Sequence, residues 1–323
     1  MRIILILSSF PQLSESFIVN KFVELVRKGW DVHVFCSTIQ PNQWRHFEKL
    51  LNDPNLKKRV HKNWPVRPHW VAGAFWIPVF LTCLVSNFNG TLQYIIRGWK
   101  INRWKILKRF YLDARIIALK PDLIHFEFGA TAIQRSDLNT LLDCKEVVSF
   151  RGYDLNFSGL DQPGYYDEIW RDADAIHFLG NDLYQRALRR GCPAEKPYSL
   201  IPPAIDAHYF DPGDREDPTI VGTIERPLRI LSVGRLEWKK GYEFGFQALR
   251  FLLDDGIPFE YRIIGAGSFE SALGFARHQL ALDEVIHFLG GLPRESVLQQ
   301  LKWADVFLHP AVSEGFCNAV LEA

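Results

Sequence analysis

The sequence has almost no net charge. Its 38 Lys and Arg against 37 Asp and Glu leave +1 over 323 residues, so no global field calls for nucleic acid or an acidic partner. It also lacks grouped cysteines. Cys36, Cys83, Cys144, Cys192 and Cys317 are scattered without C-x-x-C or zinc-ligand spacing, which fits a reducing compartment and argues against a structural metal. They read as small buried hydrophobes. No D-x-D pair stands at a strand end where a metal-assisted transfer would need one, so no metal ligands are expected. A lone G-x-G, Gly265-Ala266-Gly267, lacks the rest of the dinucleotide fingerprint, which disfavours an NAD enzyme. The opening MRIILIL has too short an apolar core, and no small-residue cleavage site, for a signal peptide. Residues 3–7 are expected to be a first strand.

What is present is a 47% hydrophobic chain in which strand-like and helix-like segments alternate, the pattern of an α/β protein with two cores. The expected organisation is an amino-terminal domain over 1–213, a charged, prolyl linker over 214–227 and a second domain over 228–323. After the first strand, Ile18, Phe22, Leu25 and Val26 recur at helical spacing and Gly29 stands where a helix end favours glycine. Ser14 and Ser16, just before them, suit either helix capping or a ligand. Residues 70–96 carry no charge, but Pro78, Asn87, Asn89 and Gly90 weaken a transmembrane reading, and a buried or interfacial helix pair is expected. Arg97, Lys100, Arg103, Lys105, Lys108, Arg109 and Arg115 follow, interleaved with Trp99, Trp104, Phe110 and Tyr111. An anionic membrane surface and a solvated helix face explain them equally well.

Two segments of the second half carry chemistry. The loop after the strand at 228–233 reads GRLEWKKG, residues 234–241; cations on a glycine-bounded loop at a strand end can neutralise a diphosphate without a proton donor. The last fifteen residues, HPAVSEGFCNAVLEA, follow an apolar strand-like run at 306–308. Gly315 permits a tight turn into a helix expected to begin near Phe316, whose open N–H groups suit phosphate. Glu314 and Glu322 offer carboxylates that suit hydroxyl groups.

Glu314 and Glu322, with seven residues between them in S-E-G-F-x-N-A-x-L-E-A, resemble the E-x7-E signature of retaining glycosyltransferases of family 4, and FPQLSESFI at 10–18 is similar to the opening of members that build bacterial exopolysaccharides. The resemblance implies a GT-B fold, two Rossmann-like domains across a cleft, and a metal-independent enzyme whose co-substrate is a nucleotide-diphosphate sugar. It implies that Arg235 and Lys240 hold the diphosphate, that Glu314 contacts the donor sugar and Glu322 the ribose, and that Gly265, Gly267, Leu292, Gly315 and Phe316 line the nucleotide. Lys239 is expected to face solvent.

On the acceptor side, PDLIHFEFG (121–129) and VVSFRGYDL (147–155) resemble two further family motifs, with Glu127 and Arg151 where the family has histidines. Such a pair can compensate as an ion pair. Ser14, His125, Glu127 and Arg151 are therefore the acceptor-side candidates, although His125 is read equally well as a core histidine. The implied partners are a glycan or lipid-linked acceptor and, at the periphery, an anionic membrane at its cytoplasmic face. The runner-up is a non-catalytic, membrane-associated binding protein on the same scaffold. Because four strands are counted in the second domain before Ala323, inside the E-x7-E helix, the sequence reads as a fragment or truncation of the family fold.

Overall fold

The computed structural model describes residues 1–12, 15–47, 50, 52–63, 69–205, 207–211, 213 and 221–323. By internal contact the chain divides into two units, Met1–Pro202 and Pro203–Ala323. That division falls ahead of the linker expected at 214–227, of which residues 214–220 lie outside the described set.

The first unit is built on seven parallel strands: β1 (Arg2–Phe10), β2 (Asp31–Ile39), β3 (Val60–Lys62), β4 (Leu123–Phe126), β5 (Lys145–Phe150), β6 (Ala175–Phe178) and β7 (Tyr198–Leu200), in the order β3-β2-β1-β4-β5-β6-β7. Parallel sheets are covered on both faces, so a central strand reads as a continuous apolar run. β1 shows how this is divided. Ile3, Leu5 and Leu7 point into one core with Ile18, Val19, Phe22 and Val23 of the helix Ser16–Arg27. Ile4 and Ile6 point into the opposite core with Phe110, Ile117 and Ile124, the period of two that a strand imposes. The helix ends as its sequence suggests. Gly29 takes φ +86°, and the N–H groups of Gly29 and Trp30 reach back to the carbonyls of Val26 and Leu25. Ser16, considered as a cap, is instead the first helical residue, preceded by Glu15 with no side-chain cap.

The uncharged segment folds as two helices, His69–Ser86 and Phe88–Asn102, lying with the helix Lys105–Leu119. The residues that weakened the membrane reading make the break. Asn87 accepts from Gly90 N–H at 3.0 Å, starting the second helix, and its amide donates to Ile117 O at 2.8 Å. Inward, Trp76 stacks on Phe80 and donates to Leu107 O, while Tyr94 donates to buried Asp113 at 2.8 Å. No helix of the described residues is long and apolar enough to cross a membrane. Three members of the basic stretch are committed internally: Arg97 to Thr140 O, Arg109 to Asp137 and Arg115 to Lys62 O.

The second unit holds four parallel strands, β8 (Leu228–Val233), β9 (Phe259–Ile264), β10 (Ile286–Gly290) and β11 (Val306–Phe307), in the order β10-β9-β8-β11. Arg226 makes a paired contact with Asp305, at 2.9 and 2.7 Å, and Asp305 also accepts from Arg229 N–H. This charge-assisted clip fixes the entry to β8 against the start of β11.

One carboxyl in the first unit is out of place. Glu146 on β5 is fully buried; burial pushes its pKa up to about 9, and Asp137, Asp172 and Asp174 push the same way. A folded-state pKa above the unfolded value means stability that is complete below the unfolded pKa, near 4.5, and lost as pH rises through the folded one. Gln resembles the neutral acid. Glu146→Gln is therefore expected to match the parent in urea unfolding near pH 4 and to gain on it by up to about 1.4 kcal/mol per pH unit toward pH 8. A difference independent of pH would contradict this placement.

Candidate active site

In an open parallel sheet, ligands bind beyond the strand carboxyl ends where the strand order reverses. In the first unit that point lies between β1 and β4, and β4 runs straight into Glu127, whose N–H donates to Ile6 O at 3.0 Å. Glu127 is fully buried. Burial alone would favour its neutral form, but Lys21 and Arg151, with His125 beside them, hold its carboxyl far below the usual range. Lys21 donates to one oxygen at 2.5 Å and Arg151 to the other at 3.0 Å, with a second Arg151 bond to Glu127 O at 3.0 Å. The Arg151 guanidinium lies 4.2 Å from the Phe17 ring centroid. The compensating pair expected from the sequence is thus formed. Lys21 was not singled out: it occupies one face of a helix whose other residues gave only an apolar period.

A polar chain runs on from Lys21 across the strand ends. Lys21 Nζ lies 3.0 Å from His125 Nδ1, His125 Nε2 is 2.7 Å from Ser149 Oγ, Ser149 Oγ is 2.8 Å from His177 Nδ1, and His177 Nε2 is 2.9 Å from Ile201 O. The ends decide every proton in it. A carbonyl only accepts, so His177 donates from Nε2 and accepts at Nδ1 from Ser149; Ser149 accepts from His125 Nε2, leaving His125 Nδ1 for the lysine ammonium. Both rings are neutral in this arrangement. Burial, the largest influence, brings His125 down to about 3 and lowers His177 as well. Asp154 ties the loop together, accepting from the N–H groups of Arg151 at 2.9 Å and Ala130 at 3.0 Å. Ser14 lies outside the described residues.

In the second unit the loops after β8 and β11 meet. Val312 N–H donates to Lys239 O at 3.0 Å, and Gly241, at φ +62°, passes so close to Pro310 O that a Cβ would collide with it. This contact brings Lys240 Nζ onto Glu314 Oε1 as an ion pair. Burial opposes ionisation of Glu314, but His309 and Lys240 hold its carboxyl below the ordinary value. His309 Nε2 is 3.6 Å from Glu314 Oε1, and His309 Nδ1 is 3.6 Å from Cys317 Sγ. Arg235 is exposed on the same loop. Lys239, expected at the solvent face, is partly buried; burial and then Arg235 pull its pKa down.

Gly265 and Gly267 have a packing reason as well: a Cβ at either would overlap Gly234 O or Leu236 O. Leu292 packs on the cluster of Leu231, Ile264 and Ala304. Gly315 and Phe316 precede a helix, Asn318–Glu322, that starts two residues later than expected. Glu322 is partly buried, and burial raises its pKa against the pull of Arg294.

Known proteins resemble this chain at two levels. A family described as glycosyl transferases group 1 matches residues 214–323. That segment belongs to the group 1 glycosyltransferases. The whole chain aligns at 27% identity over 337 residues with 80% of the amylovoran biosynthesis glycosyltransferase AmsK of Erwinia amylovora. Among solved structures it superposes over its full length on 78% of Anabaena Alr3699/HepE in complex with UDP-glucose, with TM-score 0.65 and 15% identity, and on 78% of the lipopolysaccharide outer core galactosyltransferase WaaB, with TM-score 0.58 and 17% identity. The fold of this glycosyltransferase is GT-B.

Removing one partner of a buried ion pair typically costs about 3–5 kcal/mol; here Glu127 is fully buried and Arg151 mostly so. Arg151→Ala is expected to destabilise the glycosyltransferase by that order, and Arg151→Ala with Glu127→Ala to cost much less than the sum of the singles. Additive losses in urea unfolding would mean that Glu127 depends on Lys21 alone.

Proposed function

We propose that this glycosyltransferase moves a sugar from a nucleotide-diphosphate sugar to a glycan or lipid-linked acceptor, with retention at the anomeric carbon, in the synthesis of an exported polysaccharide. The observation that carries the reading is the Lys240–Glu314 contact, which sets a cation and a carboxylate side by side beyond two strand ends. A diphosphate needs the cation, and sugar hydroxyls donate to the carboxylate. Without a ligand the two groups satisfy each other; a donor would take each from the other. Arg235 adds a second cation for the leaving phosphate, whose growing charge is then met without a metal. Glu322 suits a ribose hydroxyl. The named process of AmsK supports polysaccharide synthesis, and the UDP-glucose bound to HepE supports a nucleotide-sugar donor.

On the acceptor side, Arg151, His125 and Glu127 stand at the switch point of the first sheet. Because Lys21 and Arg151 share the one Glu127 carboxylate, this region offers a polar wall in which the carboxylate is covered by cations rather than a bare negative charge. A lipid-linked acceptor would bring the enzyme to the cytoplasmic face of a membrane. Between Asp53 and Asp113 the sequence has no acidic residue. There Ile77, Val85 (91% exposed), Phe88, Ile96, Ile101 and Trp104 (73%) are turned outward, together with Lys100, Arg103, Lys105 and Lys108. Four cations near anionic headgroups amount to roughly 4 kcal/mol, to which the apolar side chains add.

Arg235→Ala and Lys240→Ala are each expected to weaken UDP or GDP binding by about 1.5–3 kcal/mol, the worth of a charge-assisted contact, and to slow transfer. Unchanged calorimetric affinity for both nucleotides in both variants would remove the diphosphate site from this loop. Transfer itself is expected to persist in EDTA; loss of turnover restored by Mg²⁺ or Mn²⁺ would show a metal-dependent reaction.

Flotation with liposomes tests the surface. Binding should require anionic lipid, fall with salt and drop when Lys100, Arg103, Lys105 and Lys108 are changed together to Gln. Indifference to lipid charge would rule this surface out.

A further inference from the structure

One segment of nine residues collects three different metal-ligand chemistries. His309 follows β11, Glu314 stands in the loop and Cys317 immediately precedes the helix Asn318–Glu322. One atom from each, an imidazole nitrogen, a carboxylate oxygen and the thiol sulfur, lies within 4.8 Å of the other two. Among the described residues this is the one group of three such side chains so placed. All three are partly exposed, so an ion has a way in.

We propose that His309, Glu314 and Cys317 bind a thiophilic divalent cation of the zinc type, and that this ion and the sugar donor exclude one another. The sulfur decides the class. Mg²⁺ and Ca²⁺ take oxygen ligands, whereas zinc accepts sulfur, nitrogen and oxygen in one tetrahedral set. Bonds of about 2.0–2.3 Å put tetrahedral donors about 3.3–3.8 Å apart. The three donor atoms lie within 4.8 Å of one another; the two 3.6 Å separations fall on opposite ring nitrogens, Sγ on Nδ1 and Oε1 on Nε2, so the thiol and carboxylate draw in on one imidazole nitrogen when the ion binds. Three protein ligands leave a fourth position for water, as in open zinc sites.

The neighbouring cation gives the site its control. Lys240 sits on the same Glu314 oxygen, and an ammonium and a divalent cation repel each other at that distance. Metal therefore binds only as Lys240 leaves the carboxylate. The exclusion of donor rests on the reading that Glu314 and Lys240 hold the donor; ligation of the metal does not. An ion here removes Glu314 from the sugar hydroxyls and pushes Lys240 from its place, so zinc acts as an inhibitor competitive with the nucleotide sugar.

Two independent readouts test this on the full chain. Cobalt, a spectroscopic stand-in for zinc, should give a thiolate-to-metal charge-transfer band in the near ultraviolet, bleached by zinc and not by Mg²⁺. Cys317→Ser should abolish the band, with Cys144→Ser as the control that keeps it. Lys240→Ala should tighten cobalt binding severalfold, the opposite of its effect on nucleotide affinity, so a variant that merely unfolds fails both. UDP affinity is then measured in EDTA and again with free zinc held constant by a metal buffer; saturating zinc should weaken it at least about tenfold. The EDTA value reports on the donor site alone and the cobalt band on the metal site alone. No band in the parent protein, a band that survives Cys317→Ser, or UDP bound equally well with zinc would overturn the proposal.

Discussion

A carboxylate taken wholly out of water stays ionised only if cations are carried to it, and Glu127 imposes that demand on the first unit. Its partners come from separate elements. Lys21 arrives on the helix that follows β1, Arg151 from the end of β5, and both must reach the two oxygens at once. The cost of desolvating the charge is several kcal/mol before these contacts offset it. The arrangement thereby fixes how β1, β4 and β5 end relative to one another, at the point where a doubly wound sheet binds its ligand. Asp154 reinforces this by holding the N–H groups of Arg151 and Ala130.

The second unit uses the same two charge types under different conditions. Lys240 and Glu314 are partly exposed, so water can replace either partner and the pair is exchangeable. A buried pair such as Glu127–Arg151 organises a scaffold because it cannot open cheaply; a half-buried pair can give up both members to a ligand that is itself charged at one end and hydroxylated at the other. The difference lies in burial rather than in the residues. His309 lies beside this open pair, with Cys317 3.6 Å from its other ring nitrogen, whereas His125 is held within a closed chain.

The strands were legible because parallel pairing demands apolar runs, and these are plain at 3–7, 228–233 and 306–308. The carboxylates and cations of the second unit were legible through the spacing and flanking residues of one segment. The Glu127–Arg151 pair could be read because two departures from one pattern had opposite charge. Lys21 could not: nothing local distinguishes it from a solvated lysine, and its partner is 106 positions away. Ser149 and His177 were hidden for the same reason, as a hydrogen-bonded chain across strand ends leaves no mark within a strand. For Gly265 and Gly267 the pattern pointed to a ligand, while the structure adds a requirement from the neighbouring backbone. The basic stretch reads as uniform in sequence, yet only packing divides Arg97 and Arg109 from the outward lysines.

The histidine chain limits what His125 can do, a point that residue type alone leaves open. A histidine at the switch point of a parallel sheet suggests a general acid or base, and a free imidazole would titrate near neutrality. His125 has no such freedom. One ring nitrogen accepts from the Lys21 ammonium, and the other donates into a chain whose far end is a backbone carbonyl. To become a proton donor at Nδ1, His125 would have to take a proton beside an ammonium, in a buried place where burial brings its pKa to about 3. To act as a base it would have to release Lys21, which is also holding Glu127. Either step would open the contact on which the end of β4 depends. His125 is therefore a fixed neutral link that aims Lys21 and Ser149.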